Sequence, residues 1–180
     1  MMKLLPIELS LSWTTSFNRA CLVGLALLMF LPTASISAAG QQLPNIVGRD
    51  LEGNLVSLRR SLQGKKTLIN FWWVQCSPCK QELPDLIAKE KSHPEVDFIY
   101  VHAETNAKTK SAYEPAIIQA FLGGLGLSLS KVIIGNTKSR MAAGVEALPT
   151  TLLVDESGKV EMVLVGFTVQ NTAKIAAWLE

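Results

Sequence analysis

From residue 67 to the end of the chain, short apolar runs alternate with segments that have helical spacing. Residues 67–74 are mostly β-branched, aliphatic and aromatic and predict a buried strand, and residues 96–102 predict a second one. Between them, residues 77–92 have the apolar spacing of a helix, which Pro94 ends. A strand, a helix and a strand in this order predict a parallel pair of strands joined by a crossover helix.

Two hairpin signals extend this pattern at either end. Residues 45–57 contain a Gly-Asn pair between short apolar segments, which predicts an N-terminal β-hairpin. Residues 150–154 and 159–165 flank an Asp-Glu-Ser-Gly turn and predict a second, antiparallel hairpin. Further helices are predicted at residues 112–121, 137–143 and 171–179, and a short strand at 131–134. We therefore predict an α/β protein with a mixed central sheet, helices on both faces and an N-terminal hairpin extension.

The first 39 residues have a different pattern. Lys3 and Arg19 precede twelve uncharged residues at 20–31, and small residues occupy positions 37–39, which is the order of a secretory signal peptide. Twelve helical residues span about 18 Å, short of the ~30 Å hydrocarbon core of a membrane. An uncleaved membrane anchor is the alternative, supported by further apolar residues upstream. Because both cations lie on the N-terminal side, either interpretation predicts a periplasmic domain at residues 40–180, soluble or anchored to the inner membrane.

The charge of the chain is nearly balanced. It has 17 Lys and Arg against 15 Asp and Glu, a net charge of +2. Its adjacent basic pairs, such as Arg59-Arg60 and Lys65-Lys66, are typical of a solvated surface. The composition therefore predicts no nucleic-acid partner.

Cysteine usage carries the main chemical signal. Cys76 and Cys79 are the two cysteines of the predicted domain, since the third, Cys21, lies in the N-terminal segment. A disulfide between them closes so short a loop that the chain-entropy formula gives only about 2 kcal/mol. The pair is therefore better suited to a redox cycle than to stabilising the fold. Zinc is the competing use, but a closed site needs four ligands and the two histidines, His93 and His102, lack zinc spacing, so no metal or cofactor is predicted.

The predicted elements suit this chemistry. A strand that leads into Cys76 presents it at the carboxyl end of the sheet, where open α/β folds place their sites. The helix that follows directs free N–H groups and the positive end of its dipole at the Cys76 sulfur, which favours the thiolate. Cys76 is therefore the predicted attacking cysteine, and Cys79, one turn deeper, resolves the mixed disulfide. Pro78 falls in the first helical turn, where its missing N–H costs little.

Several motifs resemble the thioredoxin fold. Phe71-Trp72 precedes the pair, Pro84 follows it, and Leu148-Pro149-Thr150 ahead of a hairpin is similar to the cis-proline loop of that fold. Within the fold, Cys-x-x-Glu-x-Pro at residues 79–84 and Pro-Thr-Thr-x-x-x-Asp-x-x-Gly at 149–158 resemble the exported TlpA/ResA/CcmG-like, DsbE-like, AhpC/TSA-Redoxin related family. The resemblance covers residues 43–180 and implies a thioredoxin-like fold.

This resemblance implies further site residues on the sheet and helix. It implies that Glu82 is an active-site carboxylate that relays the proton of Cys79, the alternative being an exposed helix glutamate. It implies a supporting role for Asn70, six residues before Cys76, the alternative being a satisfied amide at a strand end. Trp72 is predicted to pack in the core as a supporting residue.

The resemblance also implies a substrate-binding surface. Pro149 is expected to follow a cis peptide beside Cys76, where Leu148 would offer its backbone to an extended substrate. The family commonly has Trp immediately before the first cysteine, whereas this chain has Gln75, so the docking surface near Cys76 is expected to differ. His102 is predicted to face solvent at the end of its strand.

The dipeptide between the cysteines bears on the direction of electron flow. Ser77-Pro78 offers no histidine or basic group to hold a thiolate, which predicts a reducing couple. The resemblance implies an exported reductase that takes electrons from a membrane thiol donor of the DsbD/CcdA type. It would pass them to disulfide-containing extracytoplasmic proteins, of which apocytochrome c is the best-known class. A disulfide oxidase or isomerase on the same fold, or a redox-inactive binding or chaperone module, are the alternatives.

Overall fold

The computed structural model describes residues 39–62, 64–109 and 112–180. Its elements follow one another along the chain as β1 (Val47–Arg49), β2 (Leu55–Ser57), α1 (Leu58–Ser61), β3 (Thr67–Trp72), α2 (Ser77–Ser92), β4 (Asp97–His102), α3 (Pro115–Gly124), β5 (Val132–Ile134), α4 (Thr137–Ala142), β6 (Thr150–Val154), β7 (Val160–Val165) and α5 (Val169–Leu179).

The seven strands form one mixed sheet in the order β2-β1-β5-β4-β3-β6-β7. Strand β4 pairs in parallel with both β3 and β5, whereas β6 pairs antiparallel with β3 and with β7. The predicted parallel pair and the predicted late hairpin are therefore confirmed. The predicted N-terminal hairpin is also present, because β1 and β2 pair antiparallel and β1 joins the sheet along β5.

The hairpin approaches β5 closely at Gly48. A Cβ atom at this position would lie 2.5 Å from the carbonyl oxygen of Ile134, far inside van der Waals contact. The neighbouring residue Arg49 is the one that pairs directly with Ile134. Glycine at position 48 thus allows the N-terminal extension to pack closely against β5.

Apolar side chains fill both faces of the sheet. On one face the core includes residues from α2, α3 and α5, among them Leu83, Leu86, Ile118, Leu122 and Trp178. On the other face the core includes Leu58 of α1, residues that precede β1, and Ala143 and Val145 after α4. Strand β3 is buried at all six positions because it lies between two strands with packed elements on both faces.

Several boundaries differ from the sequence-based prediction by one to three residues. Strand β3 ends at Trp72 rather than at residue 74, and the other differences of more than one residue lie in α3 and α5. Helix α3 begins at Pro115, not at residue 112, because proline suits the first helical turn and holds Glu114 before it in an extended conformation. Its end lies at Gly124, not at residue 121, and the chain turns at Gly126, whose φ is 65°. Helix α5 begins two residues earlier than predicted, since Thr168 caps it by accepting the N–H of Asn171.

The predicted signal peptide or membrane anchor at residues 1–39 lies, except for its last residue, outside the described residues. Among the residues that are described, no helix combines the length and the apolar character needed to cross a membrane.

Candidate active site

A tight turn connects the central strand β3 to helix α2. The N–H of Cys76 donates to the carbonyl oxygen of Trp73 at 3.0 Å, which closes the turn over residues 73–76. Cys76 has extended backbone dihedral angles and is the N-cap of α2. The pattern of a buried strand followed directly by a helical segment therefore places the cysteine pair at the carboxyl end of the sheet, as predicted.

The two cysteines form a disulfide and differ in exposure. Cys76 is 9% exposed, whereas Cys79 is fully buried. The Cys76 sulfur accepts the N–H of Cys79 at 3.2 Å, and Pro78 lies in the first turn, where no intrahelical donor is lost. No acidic residue lies in that turn to oppose the positive end of the helix dipole. After reduction, these features favour a thiolate on Cys76 over one on Cys79.

A buried polar cluster lies on the same helix, one turn beyond Cys79. Glu82 is 3% exposed, so the alternative of an exposed helix glutamate is wrong. Its carboxylate oxygen Oε2 accepts a hydrogen bond from Asn70 Nδ2 at 2.8 Å, and Asn70 Nδ2 also donates to Thr151 Oγ1 at 3.0 Å. Asn70 is in the middle of β3 rather than at its end, and its amide joins α2 to β6, the strand next to β3.

The surroundings of Glu82 alter its acidity. Burial raises the pKa of its carboxyl from 4.5 to about 7, and the negative charge of Asp85 adds to this, while hydrogen bonds from Asn70 and Thr151 oppose it. Residues three apart on a helix share one face, so this carboxyl and Cys79 point to the same side of α2. A carboxyl that titrates near neutral pH can both accept and return a proton there.

The peptide bond between Leu148 and Pro149 is cis, as predicted. Thr150, the next residue, lies opposite Phe71 in the sheet, so this loop joins the sheet at the same end as the turn that carries Cys76. The carbonyl oxygen of Pro149 accepts the N–H of Gly166 at 2.8 Å. The Leu148 N–H and C=O, by contrast, make no hydrogen bond within the described residues, which leaves a short backbone edge for an extended chain.

An aromatic group lies beneath the turn, and one of its members corrects a prediction. His102 is fully buried rather than facing solvent, because β5 and the segment after it cover the end of β4. Its ring contacts Trp72 edge-on, with centroids 5.2 Å apart, and Tyr113 at 4.7 Å. Trp72 also stacks on Phe121 at 5.8 Å, which confirms its predicted place in the core. Sequence reasoning assigned no role to Tyr113 or Phe121, whose loop and helix lie far from the cysteines along the chain.

Gln75 is exposed next to Cys76, so a polar amide stands on the rim of the disulfide. For metal binding, the described residues contain no group of three or more His, Cys, Asp or Glu side chains that could hold an ion.

Comparison with known proteins places these features in a family. The Redoxin family profile matches residues 38–177. The thiol-disulfide oxidoreductase ResA of Halalkalibacterium halodurans is 36% identical over 140 residues, which are 76% of this chain and 74% of the relative. ResA of Bacillus subtilis is 31% identical over 138 residues, covering 77% and 73% of the two chains.

A solved structure has the same fold. The crystal structure of a putative thiol:disulfide interchange protein DsbE from Chlorobium tepidum is 26% identical, with a TM-score of 0.60. The similar region covers 79% of this chain and 98% of the chain in that structure.

A mixed sheet of this topology, with a cysteine pair at the start of the helix after the central strand, defines a thiol-disulfide oxidoreductase of thioredoxin-like fold. The chain belongs to the Redoxin family and is similar, over most of its length, to the ResA thiol-disulfide oxidoreductases.

Proposed function

We propose that this protein is an exported disulfide reductase in which Cys76 attacks the substrate and Cys79 resolves the mixed disulfide. The observation that carries this assignment is the difference between the two sulfurs. Cys76 is partly exposed at the helix N-terminus and receives the Cys79 N–H, while Cys79 is fully buried. A substrate sulfur can therefore approach Cys76 alone.

The reaction balances without a cofactor. The Cys76 thiolate attacks one sulfur of a substrate disulfide, and the other substrate sulfur leaves as a thiolate that takes up a proton. Cys79, after losing its proton, then attacks the Cys76 sulfur, and the second substrate sulfur leaves. The substrate gains two electrons and ends with two thiols, and the protein ends with the Cys76–Cys79 disulfide seen in the structure.

Glu82 is the proposed acceptor of the Cys79 proton. Its raised pKa, about 7, suits proton transfer near neutral pH, and its position on the Cys79 side of the helix provides the direction. Asn70 is a positioning residue in this proposal, because its amide holds the Glu82 carboxylate at 2.8 Å. Trp72 and Pro78 support the site by packing beneath the turn and by shaping the first turn of the helix.

Substrate binding is assigned to the surface around Cys76. The unpaired backbone of Leu148, held by the neighbouring Pro149, can pair with an extended segment of a protein substrate. Gln75 would contact the same segment through its exposed amide. Recognition through backbone groups suits an enzyme that acts on several protein substrates.

The reducing direction is supported by the residues between the cysteines and by the family resemblance in the sequence. Ser77 and Pro78, between the cysteines, carry no basic group that would stabilise the reduced form as a strong oxidant requires. The N-terminal sequence supports export to the periplasm, with residues 1–39 acting as a cleaved signal or an inner-membrane anchor. In that compartment the protein would need a membrane thiol donor of the DsbD/CcdA type, and its substrates would include apocytochrome c.

The redox potential of the Cys76–Cys79 couple tests the proposal. Equilibration against glutathione and dithiothreitol should give a value near that of thioredoxin, about −270 mV. A value near that of DsbA, about −120 mV, would make the protein an oxidase instead. A Cys79→Ala variant should accumulate mixed disulfides on Cys76 in periplasmic extracts, with Cys76→Ala as the matched control that traps nothing.

A further inference from the structure

We infer that His102 is a positioning residue for Cys76: its imidazole accepts the N–H of Val74 beneath the turn 73–76 and so holds the backbone that carries the attacking sulfur. The inference deepens the proposed function and rests on the assignment of Cys76 as the attacking cysteine. His102 lies outside every motif that defines the cysteine pair.

The backbone of His102 is fixed on both sides by the sheet. It is the last residue of β4, opposite Trp72 in the parallel ladder with β3 and opposite Ile134 in β5. The N–H of Gly135 donates to its carbonyl oxygen at 2.9 Å. Its side chain is fully buried, so bulk solvent does not reach the ring.

The ring has one hydrogen bond and two aromatic neighbours. Its Nε2 accepts the N–H of Val74 at 3.4 Å. Trp72 meets the ring edge-on, with an interplanar angle of 89°, and Tyr113 meets it at 61°. The hydroxyl of Tyr113 in turn accepts the indole N–H of Trp73 at 3.4 Å. The His102–Tyr113 pair therefore holds two consecutive residues of the turn.

Within the turn, the N–H of Val74 points inward. The hydrogen bond that closes the turn runs from the Cys76 N–H to the carbonyl oxygen of Trp73 and does not involve the Val74 N–H. Across the described residues, the Val74 N–H makes no hydrogen bond other than the one to His102. A buried backbone donor is rarely left without an acceptor, which makes this imidazole nitrogen a requirement of the turn rather than an accessory.

The chemistry of the imidazole suits this task. To accept at Nε2, the ring must be neutral and carry its proton on Nδ1, which is buried and has no hydrogen-bond partner among the described residues. Burial lowers the pKa of His102 to about 3, so the ring keeps this acceptor throughout the range in which a thiol enzyme works.

The link to reactivity runs through the position of Cys76. The Cys76 sulfur accepts the Cys79 N–H at 3.2 Å, and this donor at the helix N-terminus favours the thiolate after reduction. If the turn loses its anchor at Val74, Cys76 is free to move away from that donor. Its thiol pKa then rises, and a rise of about one unit lowers the thiolate fraction about tenfold at a pH below the pKa.

The test compares two substitutions at one position. His102→Leu fills space without an acceptor, whereas His102→Gln can bring an amide oxygen to the place of Nε2. We expect the alkylation rate of Cys76 in the reduced His102→Leu protein to fall about tenfold at neutral pH. We expect His102→Gln to recover most of that rate. His93→Leu, at the far end of α2, is the matched control and should leave the rate unchanged. Thermal unfolding identifies any variant that fails to fold.

Two further measurements decide the matter if His102→Leu does not fold. Nitrogen NMR of the wild-type histidines should find His102 neutral, with the proton on Nδ1. Tyr113→Phe, which removes only the hydroxyl that holds Trp73, should slow Cys76 alkylation in the same direction as the leucine variant. A proton on Nε2 would overturn the inference. So would a folded His102→Leu protein with an unchanged rate, or a glutamine variant no faster than leucine.

These measurements do not depend on whether the protein is a reductase or an oxidase. Cys76 alkylation and the tautomer of His102 can be measured whether the protein reduces or oxidises its partners. An oxidising potential with a slowed His102→Leu variant would overturn the reductase assignment and leave the role of His102 supported.

Discussion

Asn70 on the central strand donates to the carboxylate of Glu82 on the cysteine-bearing helix at 2.8 Å, and both side chains are buried. The contact joins the strand that leads into Cys76 to the helix face that carries Cys79. Since Asn70 also donates to Thr151, one amide fixes a titratable group against two strands of the sheet. The titratable carboxyl of Glu82 therefore lies in the protein core, and this leads to two predictions about pH.

The first concerns catalysis. Glu82 can accept a proton only when ionised, so the rate of disulfide reduction should rise as the pH passes through about 7. Glu82→Gln keeps the shape and removes the base, and should slow the reaction roughly a hundredfold above that pH. Stopped-flow reduction of a protein disulfide across pH 5–9 measures this. Glu95→Gln, exposed beyond the end of the helix, is the control; identical rate profiles for wild type and Glu82→Gln would leave Glu82 without a catalytic part.

The second concerns stability. The pKa of Glu82 is about 7 in the folded protein and 4.5 as its ordinary value, so between these two values the folded state holds a proton that the unfolded chain has lost. Stability from this group is therefore complete below pH 4.5 and is lost as the pH rises to about 7. The loss is at most about 3 kcal/mol. Urea unfolding of the oxidised protein at pH 4.5 and pH 8 should show the free energy of unfolding of Glu82→Gln rising relative to that of wild type as the pH rises. A difference between the two proteins that does not change with pH would contradict this prediction.

The unequal burial of the two sulfurs predicts their order of modification. In the reduced protein, a limiting amount of an alkylating reagent should label Cys76 first, because its sulfur is the more exposed and lies at the helix N-terminus, where a thiolate is favoured. Mass spectrometry of the peptides reports the order. Label on Cys79 ahead of Cys76 would reverse the assigned roles.

Gln75 offers a test of partner recognition. Gln75→Trp restores the aromatic rim that the resemblance implies for this family, at an exposed position that should cost less than about 0.5 kcal/mol of stability. We expect it to change the KM for protein substrates by several-fold while the rate with a small disulfide such as oxidised glutathione stays the same. An equal effect on both substrates would show that position 75 acts on the cysteine chemistry rather than on docking.

Substitution of Gly48 tests whether the N-terminal hairpin needs a glycine where it packs against β5. Gly48→Ala would force a methyl group into the Ile134 carbonyl and should destabilise the protein by about 1–3 kcal/mol. Gly123→Ala, in a helix where the new methyl group meets nothing within 4 Å, is the matched control and should stabilise by about 0.5–1 kcal/mol. Thermal unfolding measures both, and equal midpoints for the two variants would refute the close-approach argument.

Local patterns explain which parts of the structure could be predicted. Helix α2 has the predicted bounds because its start and end depend on neighbouring residues, the cysteine N-cap and Pro94. The buried strands β3 and β4 follow from uninterrupted apolar runs. The start of α3 differs from the prediction because Pro115 fits the first helical turn and keeps Glu114 before it in an extended conformation.

The polar parts of the site required tertiary information. Nothing near Glu82 in the sequence distinguishes a buried glutamate from an exposed one. Its partner Asn70 lies 12 positions away, and Asn70 in turn contacts Thr151, 81 positions further along the chain. His102 ends a strand, a position that commonly faces solvent, and only the cover provided by distant segments buries it. Sequence periodicity is least able to predict the burial of a side chain whose neighbours come from several distant elements.

The complete burial of the Cys79 sulfur has a consequence for timing. In the proposed reaction, a partner attached to Cys76 is displaced by the buried Cys79 sulfur, which is out of the partner's reach. Under the proposed mechanism, the lifetime of each mixed disulfide depends on the surroundings of Cys79, including Glu82 and Asn70, and on the acidity of the partner thiol that leaves. The partner's surface affects mainly the rate at which the mixed disulfide forms, whereas residues inside this protein affect the rate at which it is resolved.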